Sequence, residues 1–264
     1  ETKEIAVKNW LKWNPPANSR WTQNRSMAKN LHPPSPETPH MPNPTFPSLG
    51  PNDGLLLVDK PSGPTSHDIV AKLRYHFQIP KVGHGGTLDP MATGLLVILL
   101  GKGTKISDRV MGHDKTYEGT LRLGVETDSQ DADGQIVKEI DASAITAEQV
   151  AEQMNLRRGD QMQMPPMVSA IKIKGVPLCK LARKGETVER QPKLIHVYRF
   201  DLLDFTPPHA RFVVECTKGT YVRTLAHDIG QTLGVGAHLS QLRRTKIGKL
   251  DVANASTLDE LLAL

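Results

Sequence analysis

The sequence predicts an α+β fold: a mixed, largely antiparallel sheet with helices inserted between its strands. Three observations carry that prediction. Short apolar runs of strand length outnumber helical patterns from Gly54 onward. Several runs are joined by turn signals of hairpin type, such as Asp133-Gly134. No βαβ unit repeats along the chain, which excludes a doubly wound sheet.

Taken in order, residues 54–58 form a short apolar strand stopped by the turn-rich loop Asp59-Lys60-Pro61-Ser62-Gly63. Ser66 is placed as N-cap of a helix, because Ile69, Val70, Leu73 and Phe77 recur at helical spacing and Pro80 ends it. Residues 83–93 form a long polar loop, and residues 95–100 a strand apolar enough to be buried on both faces. Residues 116–125 and 135–140 read as two strands joined by an acidic loop. A calcium loop fails there, because its first position would be Ser129 and its twelfth Ile140; a hairpin turn fits better. A short helix is expected at 146–154, strands at 195–205 and 211–217, and a helix at 220–233 with Val222, Leu225, Ile229 and Leu233 on one face. A last strand at 243–250 and a terminal helix at 257–264 complete the pattern.

The first 53 residues read differently. All three tryptophans (Trp10, Trp13, Trp21) and nine of the twenty prolines lie within the first fifty. A Pro/Ser/Asn-rich stretch of this kind buries too little apolar surface to offset its ordering entropy. We therefore expect an extension over 1–53 and one folded domain over 54–264.

The chain carries a formal net charge of +5. The excess clusters: Arg243, Arg244, Lys246 and Lys249 lie together, and so do Lys172, Lys174, Lys180, Arg183 and Lys184. Clustered cations favour nucleic acid over membrane. Cys179 and Cys216 have neither metal-ligand nor disulfide-framework spacing. No apolar run is long enough to span a bilayer, and the opening residues lack a secretory pattern. The expected location is the cytoplasm.

The chemistry concentrates in Lys81-Val-Gly-His-Gly-Gly-Thr-Leu-Asp-Pro-Met-Ala-Thr-Gly94. Glycines at 83, 85 and 86 let the backbone turn and approach a ligand, and Pro90 biases Asp89 toward an extended conformation. The loop lacks the Gly-Lys-Ser/Thr ending of a phosphate cradle. His-Gly-Gly has the look of an ester-hydrolase oxyanion loop, but no Gly-x-Ser-x-Gly turn accompanies it. His84 and Asp89 find no third metal ligand at convincing spacing. On its residues alone, the loop stays open between a structural turn and a functional one.

Residues 81–93 closely resemble the catalytic motif of the TruB family of pseudouridine synthases. Further segments resemble that family in its own order: Val58-Asp-Lys-Pro-Ser-Gly63, Lys115-Thr-Tyr117, Gly124-x-x-Thr127-Asp128 with Asp133-Gly134, and Pro165-Pro-x-x-Ser-Ala170. Then come Gly175, Arg183-x-Gly185, Gly219-Thr-Tyr-Val-Arg223 and Leu239-x-x-Leu-Arg-Arg-Thr-x-x-Gly248. One departure is Gly85, where many relatives carry a small polar residue.

The resemblance implies a pseudouridine synthase fold and an isomerase that needs no cofactor and no metal. It implies Asp89 as the catalytic carboxylate, Arg223 as its partner, and Tyr117 stacking on the target base. Tyr221 and Leu242 would pack around the pocket. His84 would fill the space left by flipped bases, and Lys60 would lie near the site. Arg243, Arg244, Lys172 and Lys174 would meet phosphates. The implied substrate is uridine 55 in the T-arm (TΨC) loop of tRNA, modified by a monomer with no obligatory protein partner. Two other readings are a catalytically idle tRNA-binding or folding protein, and a guide-RNA-dependent rRNA enzyme of the dyskerin-like branch.

Overall fold

The computed structural model describes residues 50, 52–169, 172–173, 175–178 and 188–264, with the backbone alone at 172, 173, 176 and 177. The expected extension therefore falls outside the described residues up to its last few positions. Those last positions correct the boundary. The Asp53 carboxylate accepts the Gly50 N–H at 2.8 Å and the Lys102 N–H at 2.7 Å, so the fold is anchored before Gly54.

The strands are β1 (Gly54–Lys60), β2 (Val82–His84), β3 (Thr93–Leu100), β4 (Lys115–Leu123), β5 (Val125–Thr127), β6 (Ile136–Glu139) and β7 (Gly159–Gln163). They continue as β8 (Lys172–Ile173), β9 (Val176–Pro177), β10 (Lys193–Thr206), β11 (His209–Cys216), β12 (Ala237–Ile247), β13 (Leu250–Asp251) and β14 (Ser256–Thr257). The helices are α1 (Ser66–Phe77), α2 (Ser107–Gly112), α3 (Ala147–Leu156), α4 (Val222–Thr232) and α5 (Leu258–Leu262).

One mixed sheet runs β14-β1-β3-β12-β4-β11-β10-β7, with β2 beside β3 and β13 beside β12. Its pairs are antiparallel except β1 with β14 and β12 with β3. The α+β class and the mostly antiparallel sheet are as the sequence predicts. β3 is apolar from Leu95 onward because both its faces are covered: Leu96, Ile98 and Leu100 enter one core cluster, while Leu95, Val97 and Leu99 enter the other.

Several local expectations need correction. Thr65, not Ser66, caps α1; its hydroxyl accepts the Asp68 N–H, and the Asp68 side chain closes the capping box. Gln78, in the left-handed region at φ 51°, ends that helix two residues before Pro80. The polar loop is partly strand, since β2 pairs with β3. The last long strand starts at Ala237, because residues 237–242 continue the ladder with β4. Short elements without a strong period, α2 and β7 among them, escape a pattern reading altogether.

Candidate active site

The buried charges mark the site. Among the described residues, the charged side chains counted as buried are Lys60, Lys115, Asp131, Arg223 and Arg244. Isolated buried charges are unfavourable unless paired or hydrogen-bonded. All five gather around the segment that carries Asp89, and three of them line one cavity of about 350 Å³. That volume is in the range of small-ligand pockets. The cavity is bounded by the 86–89 loop, Met111 and Lys115, Tyr117, Ser169, residues 219–223, Leu242 and Arg244.

Asp89 enters it from the loop, Arg223 from the first turn of α4. The Arg223 Nε lies 3.0 Å from Asp89 Oδ2, and Nη2 lies 3.5 Å from Oδ1. The guanidinium thus addresses both carboxylate oxygens, a geometry suited to its planar fork. Arg223 is 3 % exposed, whereas Asp89 keeps 36 % of its side chain accessible. Burial raises the Asp89 pKa above its ordinary value; Arg223 and Lys60 oppose the shift, and Asp131 and Asp133 reinforce it.

Arg223 has a second carboxylate that the sequence reading passed over. Its Nη1 lies 3.3 Å from Asp131 Oδ2 and donates to the Ser129 carbonyl at 2.9 Å, while Nη2 donates to the Val168 carbonyl at 2.8 Å. Asp131 sits in the β5–β6 hairpin loop; β6 pairs with the short β5, not with the expected 116–125 run, most of which is β4 and pairs with β11 and β12 in the main sheet. The Ser129 hydroxyl and the Asp133 N–H both bond its Oδ1. An acidic hairpin turn normally faces water; the signal available in the sequence was three aspartates crowded into six residues.

The aromatic residues converge from two elements. Tyr117 is buried in β4, and its phenol pKa is raised by that burial. Tyr221 has extended backbone and forms the N-cap of α4, so the helix begins two residues later than the expected 220–233. Its N–H donates to Gln163 Oε1 at 2.8 Å, and Gln163 Nε2 donates back to its carbonyl at 3.0 Å. Burial raises the Tyr221 pKa as well. Leu242 lies on the same face of β12 as Arg244 and closes the wall.

The other expected residues divide. His84 is on β2 and does not line the cavity; its Nδ1 accepts the Gly86 N–H at 3.4 Å, and burial lowers its pKa. Lys60 is fully buried beneath the loop that carries Asp89. Its Nζ donates to the carbonyls of Pro61 (2.8 Å), Pro90 (3.0 Å) and Ala92 (2.7 Å), and burial lowers its pKa to about 8. Arg243 is ion-paired with Asp59 through contacts of 2.9 and 2.6 Å. Arg244 is 1 % exposed, so the surface phosphate contact expected of it is not what its position provides. The strand period explains the split, because neighbouring residues of β12 face opposite ways. Lys174 and the side chain of Lys172 lie outside the described residues. Among those described, no three His, Cys, Asp or Glu gather as a metal site, and no helix is long and apolar enough to cross a membrane.

Solved structures share this architecture. A chain of a Cbf5–Nop10–Gar1 complex superposes with a TM-score of 0.63 at 30% identity, over 80% of this chain and 54% of that one. A chain of an H/ACA RNP bound to a substrate RNA containing 2′-deoxyuridine gives 0.59 at 28% identity, over 79% and 52%. The chain spans about half the length of both. Residues 74–222 match the N-terminal domain model of the TruB family pseudouridylate synthases, and residues 223–264 match the tRNA pseudouridylate synthase B C-terminal domain model. The boundary falls inside α4, and both stretches contribute strands to the same sheet. The fold and the family matches are those of a pseudouridine synthase, an isomerase.

Within that class, the chain belongs to the TruB family. It is 54% identical over 212 residues to a tRNA pseudouridine synthase B of Opitutus terrae, covering 80% of this chain and 88% of that protein. A namesake from Syntrophotalea carbinolica is 50% identical over 209 residues, covering 79% and 68%.

Proposed function

We propose that this isomerase acts on tRNA, converting uridine 55 of the T-arm loop to pseudouridine, with Asp89 as the catalytic carboxylate. The observation that carries the reading is the Asp89 carboxylate, held on buried Arg223 and facing a cavity walled by Tyr117, Tyr221 and Leu242. The names of the bacterial relatives support tRNA as substrate, and a stand-alone cytoplasmic enzyme fits them.

The reaction breaks the bond from C1′ to N1, turns the base and joins C1′ to C5. The C5 proton leaves and N1 gains one, so no electrons are exchanged with a redox partner. An ionised carboxylate serves it by attack on the sugar or base, or by assisting deprotonation. Arg223 keeps Asp89 charged and oriented against the upward pull of burial, and Asp131 fixes Arg223 from its other side. Tyr117 stacks on the base and, with its raised pKa, keeps its phenolic proton at neutral pH. A uridine in a folded loop is flipped out of its stack to enter such a cavity.

The test is to incubate the protein and its Asp89→Asn variant with an unmodified tRNA transcript and map pseudouridine by chemical labelling. The expected result is one product, at position 55, made by the wild type alone. Product elsewhere overturns the site assignment. Tight binding without product from the wild type overturns the catalytic reading in favour of a tRNA-binding protein.

A further inference from the structure

Every backbone carbonyl from residue 86 to 92 has a hydrogen-bond donor. The Asp89 carbonyl accepts the Ala92 N–H at 3.1 Å, and the Pro90 carbonyl accepts the Gly63 N–H at 2.9 Å as well as Lys60. The Leu88 and Met91 carbonyls accept the hydroxyls of Ser66 (3.1 Å) and Ser62 (3.2 Å). Lys60 takes Ala92. The remaining two carbonyls, at the entry to the loop, depend on one distant side chain: Arg244 donates through Nη2 to Gly86 at 3.1 Å and through Nη1 to Thr87 at 3.2 Å.

The same guanidinium donates through Nε to the Leu95 carbonyl of β3 at 2.8 Å. It therefore ties the loop's start to the strand that follows the loop. Its backbone is fixed too. Arg244 pairs with Gly94 across β12 and β3, and with Tyr117 across β12 and β4. At Gly94, with φ +97°, an added Cβ would lie 2.3 Å from the Arg244 carbonyl oxygen, so the two chains touch where any other residue would push them apart. No salt-bridging carboxylate lies within reach of the guanidinium among the described residues.

We infer that Arg244 is a positioning residue for the isomerisation: it holds the 86–89 turn so that Asp89 meets Arg223 before any RNA arrives. The inference rests on Asp89 being the catalytic carboxylate. A cation on three carbonyls fits this task better than a phosphate contact, since its donors are turned inward and its side chain is shielded from solvent. A loosened turn would leave the RNA-facing surface intact while displacing the carboxylate. A displacement of about 1 Å at a reacting group is enough for roughly a 10²-fold loss.

Turnover and tRNA affinity of Arg244→Lys, the latter over a range of salt concentrations, test this directly. The lysine keeps the charge but cannot reach three carbonyls as a planar fork. The expected result is a kcat lowered by about 10²-fold, with KM and Kd unchanged and the salt dependence of binding as in the wild type. Weakened binding with a salt slope shallower by about one phosphate contact would make Arg244 an RNA ligand and overturn the proposal, as would wild-type kcat. If the variant fails to fold, hydrogen exchange on the RNA-free wild type decides. Leu88 and Ala92 amides protected like those of β3 support a preformed turn, and open-chain exchange there overturns it. An active Asp89→Asn variant in the same assay would sink the catalytic assignment separately, whatever Arg244→Lys does.

Discussion

Arg223 reaches Asp89 through its Nε at 3.0 Å while its Nη1 rests 3.3 Å from Asp131, so one buried guanidinium serves two carboxylates of opposite exposure. Asp131 is sealed in protein, and Asp89 faces the cavity. The asymmetry assigns their parts: the buried acid sets the arginine, and the accessible one meets the substrate.

Replacing Arg223 by lysine keeps a positive charge but loses the fork that spans both carboxylates. Hydrogen bonds to charged groups contribute about 1.5–3 kcal/mol each, so Arg223→Lys is expected to lose about 10- to 100-fold in kcat. Steady-state turnover on a tRNA transcript measures it. Near-wild-type turnover would remove Arg223 from the account.

Asp131→Asn separates orientation from charge. The negative charge of Asp131 raises the Asp89 pKa, so neutralising it lets that pKa fall. Turnover should drop because Arg223 loses one anchor, yet the acid limb of the pH–rate profile should move to lower pH. An acid limb that stays in place would show that Asp131 does not influence the reacting carboxylate.

How much of this was legible in the sequence follows from what each residue's neighbours reveal. The Asp89 loop announces itself through its glycines and its position between a helix and an apolar strand. Arg223 is identified by its motif, whereas the helical pattern expected over 220–233 overruns at its start and takes in Tyr221, which is the extended N-cap. Asp131 was hidden, because an acidic turn reads as solvated until the fold folds it back over α4. Arg244 was misread beside Arg243, since a run of cations shows charge but not strand register. Once β12 is known to start at Ala237 and pair with β3 and β4, alternation turns one arginine out and the next in. The same limit applies to Lys60 and Lys115, whose burial depends on contacts from distant strands.

Lys115 gives a stability prediction. Burial lowers its pKa from 10.5 to about 8 while its Nζ donates to the Met111 and His113 carbonyls, each at 2.6 Å. Between pH 8 and 10.5 the unfolded chain binds the proton that the folded one has released. The wild type therefore gains stability with rising pH across that window relative to a variant without the amine. Thermal melts of wild type and Lys115→Met should show a Tm difference that is constant below pH 8 and shifts in favour of the wild type above it. A difference independent of pH would contradict the burial of a titrating amine.

Tyr117→Phe keeps the ring and removes the hydroxyl. Because the buried phenol remains protonated at neutral pH, its loss should leave tRNA affinity within about twofold and lower turnover about 10- to 100-fold, in the range of general acid–base effects. Equal turnover in the two proteins would confine Tyr117 to stacking.

The central claim is that Asp89 performs the chemistry, and release of tritium from tRNA carrying 5-tritiated uridine reads it most directly, since C5 loses its hydrogen only when the new bond is made. With enzyme in excess, Asp89→Asn should bind the tRNA as tightly as the wild type and release no tritium, while the wild type releases one equivalent per modified site. Tritium release by Asp89→Asn at a rate near that of the wild type would contradict the account.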